Sequence, residues 1–213
     1  MDKNHLYVLS LLEHNNVDIE SLRPYAERHK VPIVDKVSLE MIKQTIRLHK
    51  PIHILEIGTA IGYSAMQFAS VDRNIQVTTI ERDESMINLA RTNFKQFGYE
   101  QQINLIEGNA LEQFESVEDK QFDMIFIDAA KAQSLKFFQL FTPLLKTGGV
   151  VITDNVLYHG FVSDIDVVRT RNVRQMVKKV QQYNEWLMQQ PNFNTNFLNI
   201  DDGLAISIKG ESK

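Results

Sequence analysis

The chain contains no cysteine. A disulfide framework and a thiolate metal site are both closed to it, so any metal must be held by oxygen or imidazole, which points to a hard cation. Long apolar runs are missing too. The N-terminal MDKNHLYVLSLLEHNN has an apolar stretch of only about six residues before Glu13 and His14, too short for a signal peptide or a membrane span. A cytoplasmic protein with no membrane partner is expected. Nor is there an excess of positive charge: the formal net charge of −4 argues against a broadly basic surface, while leaving a local one open.

What is present is ordinary for a globular protein. Hydrophobic residues make up 43% of the 213 and charged residues 23%, and no low-complexity linker divides them, so one domain over 1–213 is expected. Three apolar-periodic segments come first, Leu6–Glu13, Ile19–Lys30 and Lys36–His49, broken by Pro24, Val31-Pro32 and Lys50-Pro51. These predict N-terminal helices over residues 1–50, ahead of a core over 51–213.

Within that core, short β-branched runs alternate with helical stretches: Ile52–Ile57, Val77–Ile80, Ile103–Ile106, Met124–Ile127 and Val150–Thr153. Such runs suit strands covered on both faces, as in a parallel sheet with helical crossovers. One crossover is plain: Ile87, Ala90, Phe94 and Phe97 share a helical stripe, and Gly98 follows it. The tail departs from the pattern. A long helix over 166–189 precedes Phe197–Ile200 and Leu204–Ile208, which are separated only by Asp201-Asp202-Gly203 and must therefore pair antiparallel.

The first strand leads into Glu56-Ile57-Gly58-Thr59-Ala60-Ile61-Gly62-Tyr63-Ser64. Glycine at the mouth of a parallel sheet lets backbone approach a ligand closely. A dinucleotide dehydrogenase would carry G-x-G-x-x-G there, whereas this loop has Gly58 and Gly62 only, with Glu56 two residues before the first. A carboxylate suits a cationic ligand such as S-adenosylmethionine (SAM) better than a diphosphate. Glu81, at the end of the second strand, is placed to accept from both hydroxyls of a ribose. Asn109 and Ala110, after the third, are candidates to border an adenine. Gly58, Gly62, Ser64, Glu81, Asn109, Ala110 and Asp128 are thus candidate cofactor-binding residues, together with Glu56.

The fourth strand ends in Asp128 and the fifth in Asp154-Asn155. Two carboxylates meeting at one sheet edge repel unless a cation neutralises them, and with the amide oxygen of Asn155 they form a donor set suited to Mg²⁺. The competing explanation for each aspartate is a helix N-cap. Lys131 lies on the turn after Asp128.

With these residues the chain resembles the class I SAM-dependent O-methyltransferases of the catechol and caffeoyl-CoA type. The resemblance rests on Glu56–Ser64, Glu81, Asp128-x-x-Lys131 and Asp154-Asn155. It implies a Rossmann-like α/β fold, a seven-stranded mostly parallel sheet with a C-terminal antiparallel hairpin. It also implies Asp128, Asp154 and Asn155 as metal ligands, Lys131 as the catalytic base or charge stabiliser, Glu81 as the ribose acceptor, and a homodimer. Among bacterial relatives, Asp128-Ala129-Ala130-Lys131, Asp154–Gly160 and Arg169-Thr170-Arg171 most resemble the tRNA 5-hydroxyuridine methyltransferases, which implies tRNA as substrate and 5-methoxyuridine as product.

The substrate is less legible from the residues themselves. The segment 167–179 carries five positive charges and no acid. Arg169, Arg171, Arg174 and Lys178 form either a solvated face or a strip for phosphates. A small catechol-like phenol is the alternative substrate; a dehydrogenase and a non-catalytic RNA-binding module are the alternative classes. Tyr158, His159 and Phe161 are candidates for contact with a flat ring, and Trp186 reads as core or interface.

Overall fold

The structure, a computed structural model, describes residues 3–12 and 17–211. The chain opens with α1 (Lys3–Leu11), α2 (Val17–Glu20), α3 (Arg23–His29) and α4 (Lys36–His49). Glu13, expected at the end of the first helix, lies outside the described residues. Pro24 sits in the first turn of α3, where its missing N–H costs nothing.

Strands and helices then alternate: β1 (His53–Ile57), α5 (Tyr63–Ala69), β2 (Gln76–Glu81), α6 (Glu84–Phe97), β3 (Ile103–Glu107), β4 (Phe122–Ile127), α7 (Ser134–Phe141), β5 (Leu145–Asp154), α8 (Arg171–Met188), β6 (Phe193–Leu198) and β7 (Leu204–Lys209). The seven strands form one sheet in the order β3-β2-β1-β4-β5-β7-β6. Pairing is parallel from β3 to β5 and antiparallel where β7 meets β5 and β6. This is the Rossmann-like arrangement expected, hairpin included. Chain order reverses between β1 and β4, and there the carboxyl ends of the strands open a crevice.

Strand alternation divides the core. Ile54, Met124, Phe126 and Ile152 face a cluster with α4, α5 and α6, whereas Leu55, Ile125, Ile127 and Val151 face α7 and the end of α8. The α6 stripe is as expected, with Ile87, Ala90 and Phe94 buried and Gly98 left-handed at the cap. Several boundaries differ from expectation: the segment Ile19–Lys30 is split into α2 and α3, and β5 starts at Leu145 rather than Val150, because its Lys146, Thr147 and Gly148 are exposed and carry no apolar run. β6 starts at Phe193 rather than Phe197, because as an edge strand it alternates with exposed Asn194 and Asn196 and carries no apolar run. The last helix starts at Arg171, after a separate 3₁₀ turn over Ile165–Val167 tied by the Asp164 carboxylate, so Arg169 lies ahead of the helix. Among the described residues, no helix is long and apolar enough to cross a membrane.

Candidate active site

At the switch point lies a cleft of about 650 Å³, walled by the ends of β1 to β4, by the α3–α4 linker and by Met176 of α8. Gly58, Ser64, Glu81, Asn109, Ala110, Asp128 and Lys131 line it, as do Tyr158 and Phe137. Gly58 holds a φ of +100°, and a Cβ on it would stand 2.5 Å from the Asp128 carbonyl oxygen. Only glycine allows the β1 loop and the end of β4 to close together in this way.

Glu81 is engaged by four backbone amides. One carboxylate oxygen accepts from Thr59 N (3.1 Å) and Ala60 N (2.9 Å), the other from Arg82 N (2.9 Å) and Asp83 N (3.0 Å). It therefore ties the β1 loop to the β2 end in addition to facing the cleft. Asn109 caps a 3₁₀ turn through its side-chain oxygen, which accepts from Leu111 N.

Two candidates fall behind the cleft wall. Gly62 has a φ of +82°, and a Cβ there would meet the Phe94 ring at 2.3 Å, so its glycine serves the packing of α5 on α6. Glu56 shares the face of Ile54 and points beneath α5, completely buried. Its carboxyl accepts from Ser64 Oγ and from Thr79 Oγ1, both at 2.5 Å. Burial pushes this carboxyl up to about 8 against those two hydrogen bonds, with Asp128 and Glu81 adding to the rise.

A raised carboxyl contributes stability that is full below its unfolded value, near 4.5, and is lost as pH rises through about 8. At about 1.4 kcal/mol per unit, the loss is on the order of 3–5 kcal/mol. Glu56→Gln, which keeps an acceptor for one hydroxyl, should therefore gain on the wild type as pH rises from 5 to 8.5. Denaturant unfolding at the two ends checks this; curves that stay parallel would refute it.

The ends of β4 and β5 form the other half of the site. Lys131 Nζ donates to Asp128 Oδ1 at 2.7 Å. Burial draws the ammonium's pKa down, but Asp128, then Asp154 and Asp202, more than reverse this, so Lys131 is held charged. Asp154 is buried, and that burial, with Asp128 second, drives its carboxyl well above the usual range against the pull of Lys131 and Asn155 N–H. Asn155, with a φ of +60°, donates its N–H to Asp154 Oδ1 at 2.7 Å. Among the described residues no three His, Cys, Asp or Glu side chains are grouped to hold a metal; the set here is two carboxylates and an amide. Neither Asp154 nor Asn155 belongs to the cleft wall proper.

Of the aromatic candidates, Tyr158 reaches the cleft, while His159 and Phe161 pack around it at centroid distances of 5.0 and 6.4 Å. Trp186 lies edge-on to Phe138 in the core. Arg169, Arg171, Arg174 and Lys178 line a separate open cavity of about 660 Å³. There Arg174 is tied to its neighbours while staying partly exposed: Nε donates to Val168 O (2.9 Å), and Nη2 to Asp166 Oδ1 (3.3 Å). Sequence alone does not mark the α3–α4 linker or Asp202 as part of the site, since the first carries no chemical motif and the second reads as a turn.

The O-methyltransferase family profile matches residues 15–210. The chain belongs to the O-methyltransferase family, the SAM-dependent class that the resemblance implied. A Staphylococcus aureus crystal structure, of a protein provisionally named caffeoyl-CoA O-methyltransferase, is 66% identical with a TM-score of 0.95, covering 98% of this chain and 100% of that one. The O-methyltransferase ankF of Aspergillus thermomutatus is 28% identical, covering 75% of this chain and 72% of its own. The SAH-bound methyltransferase PaMTH1 of Podospora anserina, 24% identical, shares the fold at a TM-score of 0.86 over 99% and 97% of the two chains. This O-methyltransferase has no use for the dinucleotide reading of its glycine loop.

Proposed function

We propose that this O-methyltransferase moves the methyl group of SAM to a hydroxyl oxygen with the help of a divalent cation, and that the hydroxyl is that of 5-hydroxyuridine in tRNA. One observation carries the reading: Gly58 and Asp128 abut, so the glycine loop and the acidic strand end face a single cleft.

The residues fit both groups. Gly58 leaves bare backbone where a side chain would fill the loop, and Glu81 lines the same wall. Asp128, Asp154 and Asn155 supply hard oxygen donors, and the carboxyl of Asp154, buried and beside the like charge of Asp128, is one that a divalent cation would neutralise. When bound, SAM supplies an electrophilic methyl and Mg²⁺ favours the ionised form of a substrate hydroxyl. The protein's part is placement. Glu81 fixes the Thr59–Ala60 backbone, Lys131 brings positive charge beside Asp128, where an oxyanion would develop, and Phe137, Met176 and Tyr158 exclude water from the acceptor. The exposed Leu6, Tyr7 and Leu11 of α1 offer an apolar face for the homodimer that belongs to the same reading.

The basic cavity supports tRNA. Arg169, Arg171 and Lys178 are exposed there, whereas the partly exposed Arg174 is already paired with Asp166. Replacing those three by glutamine should flatten the dependence of hydroxylated-tRNA methylation on salt, lowering the log–log slope by roughly one for each phosphate no longer held. Methylation of a small catechol by the same variant should be unchanged. Equal loss on both substrates, or no activity on hydroxylated tRNA at any salt, would favour the second reading, a small phenol, for which the apolar wall of Phe137, Tyr158 and Met176 speaks.

A further inference from the structure

Asp202 lies in the turn between β6 and β7, a place where aspartate usually serves the turn itself. Here the turn is made by its neighbours. Asp201 takes the left-handed conformation with a φ of +47°, Gly203 with +87°, and Gly203 N closes on Ile200 O at 2.7 Å. The Asp201 carboxylate points away, accepting from Ser38 N at the start of α4 (2.7 Å). The Asp202 carboxylate instead turns to the loop after β5 and is only 15% exposed.

Its contacts there are of three kinds. Oδ1 accepts the His159 backbone N–H at 2.6 Å, Oδ2 accepts from Asn155 Nδ2 at 3.4 Å, and His159 Nδ1 lies 3.2 Å from Oδ2. The backbones are stitched alongside: Val156 N donates to Gly203 O (3.1 Å) and Leu157 N to Asp202 O (2.8 Å). Gly203 leaves no room for a side chain, since a Cβ would stand 2.4 Å from Leu157 Cγ and 2.9 Å from Leu157 N. Asn155, Tyr158 and His159 all have positive φ, at 60°, 42° and 57°. Residues other than glycine hold such backbone only where their surroundings impose it.

A primary amide has its donor and acceptor on one carbon, so engaging the nitrogen fixes where the oxygen goes. With Nδ2 given to Asp202, Asn155 Oδ1 is left as the acceptor, while the Asn155 backbone N–H is already bonded to the Asp154 carboxylate. We propose that Asp202 is a positioning residue for the cation site: it orients the Asn155 amide so that Oδ1 joins Asp128 and Asp154, and it pins the 155–159 loop that carries Tyr158 to the cleft. This rests on the metal reading of those three residues. A neutral carbonyl oxygen is the weakest of the three ligands and depends most on being aimed. Partners that aim metal ligands typically govern affinity by about 10–100-fold.

The test is Mn²⁺ binding, followed by loss of the free-ion EPR signal, for wild type, Asp202→Asn, Asn155→Ala and the double variant, with SAM affinity by calorimetry as the report on the fold. Asp202→Asn keeps an acceptor for the His159 N–H but sets one amide NH₂ against another. It should weaken Mn²⁺ by about 10–100-fold and leave SAM affinity within about twofold. In the Asn155→Ala background it should do nothing further, because a residue acting through Asn155 has no effect once Asn155 is gone. If the asparagine variant loses SAM binding, Asp202→Ser, whose hydroxyl stops short of Asn155, takes its place with the same expectation. Mn²⁺ bound equally by wild type and variant would overturn the positioning role alone. So would the same loss with and without Asn155, which would make Asp202 a ligand or a long-range charge. No binding by the wild type would overturn the metal reading, and the positioning role with it.

Discussion

Asp154→Asn should lose methyl transfer by at least about 100-fold while its fold becomes more stable in the absence of metal. The loss follows from the donor set. Removing the charge from one of two carboxylates weakens a hard-cation site by more than the roughly 10–100-fold that disturbing a ligand's partner costs. EDTA should abolish wild-type turnover, and added Mg²⁺ should restore it. The gain follows from electrostatics. Asp154 is buried, and Asp128 adds its charge to the burial in holding the carboxyl well above its ordinary range. A carboxyl raised in this way contributes stability that is full below its unfolded pKa, 3.8, and is lost as pH rises through the folded value, so above 3.8 the native chain bears the cost of keeping this acid buried beside Asp128. An amide of nearly the same shape removes that cost. Denaturant curves with EDTA, beside initial rates with Mg²⁺, measure the two arms. SAM affinity should be unchanged, since the candidate cofactor residues stand at or after the ends of β1, β2 and β3 or, as Asp128, of β4, and Asp154 is not among them. A variant that is both inactive and less stable would make Asp154 a structural residue; full activity in chelator would end the metal reading.

Gly58→Ala should weaken SAM binding by about 100-fold. Its φ of +100° is one that residues with a Cβ rarely adopt, and the added carbon would lie 2.5 Å from the Asp128 carbonyl oxygen and 3.0 Å from the Asp128 carbonyl carbon. Both are backbone, so no side chain can swing aside. To reach ordinary contact the ends of β1 and β4 must part by close to an ångström, and a misplacement of that size costs about 100-fold in a positioned site. The strained φ and overpacking together should also lower stability by about 2–4 kcal/mol. Calorimetric titration with SAM and thermal melts check both effects. Gly62→Ala is the control. Its Cβ would meet a side chain, Phe94, at 2.3 Å, so it should lower stability through packing of α5 against α6 and disturb SAM binding less. Should the two variants lose SAM affinity equally, the distinction between a ligand-facing and a packing glycine would fail.

Part of this was legible in the sequence because it depends on near neighbours. The apolar runs of β1 and β4, the stripe of α6 with Gly98 at its end and the short link between β6 and β7 are fixed by residues within a few positions of one another, and they sufficed for a parallel sheet closing on an antiparallel hairpin. Since parallel strands end at the same edge, the sequence also placed Glu81 and Asp128 at one crevice, whereas Asp154, at the end of the next strand, stands behind its wall.

Tertiary structure decided what each of these residues meets. Glu56 lies under α5 because Ser64 and Thr79, from other elements, close over it. Gly62 answers to Phe94, and Arg174 is paired with Asp166 and the Val168 carbonyl, which leaves it less free than Lys178. Asp202 reaches Asn155 across 47 positions. Burial and charge pairing depend on which distant groups displace water around a side chain, and local periodicity carries no record of that.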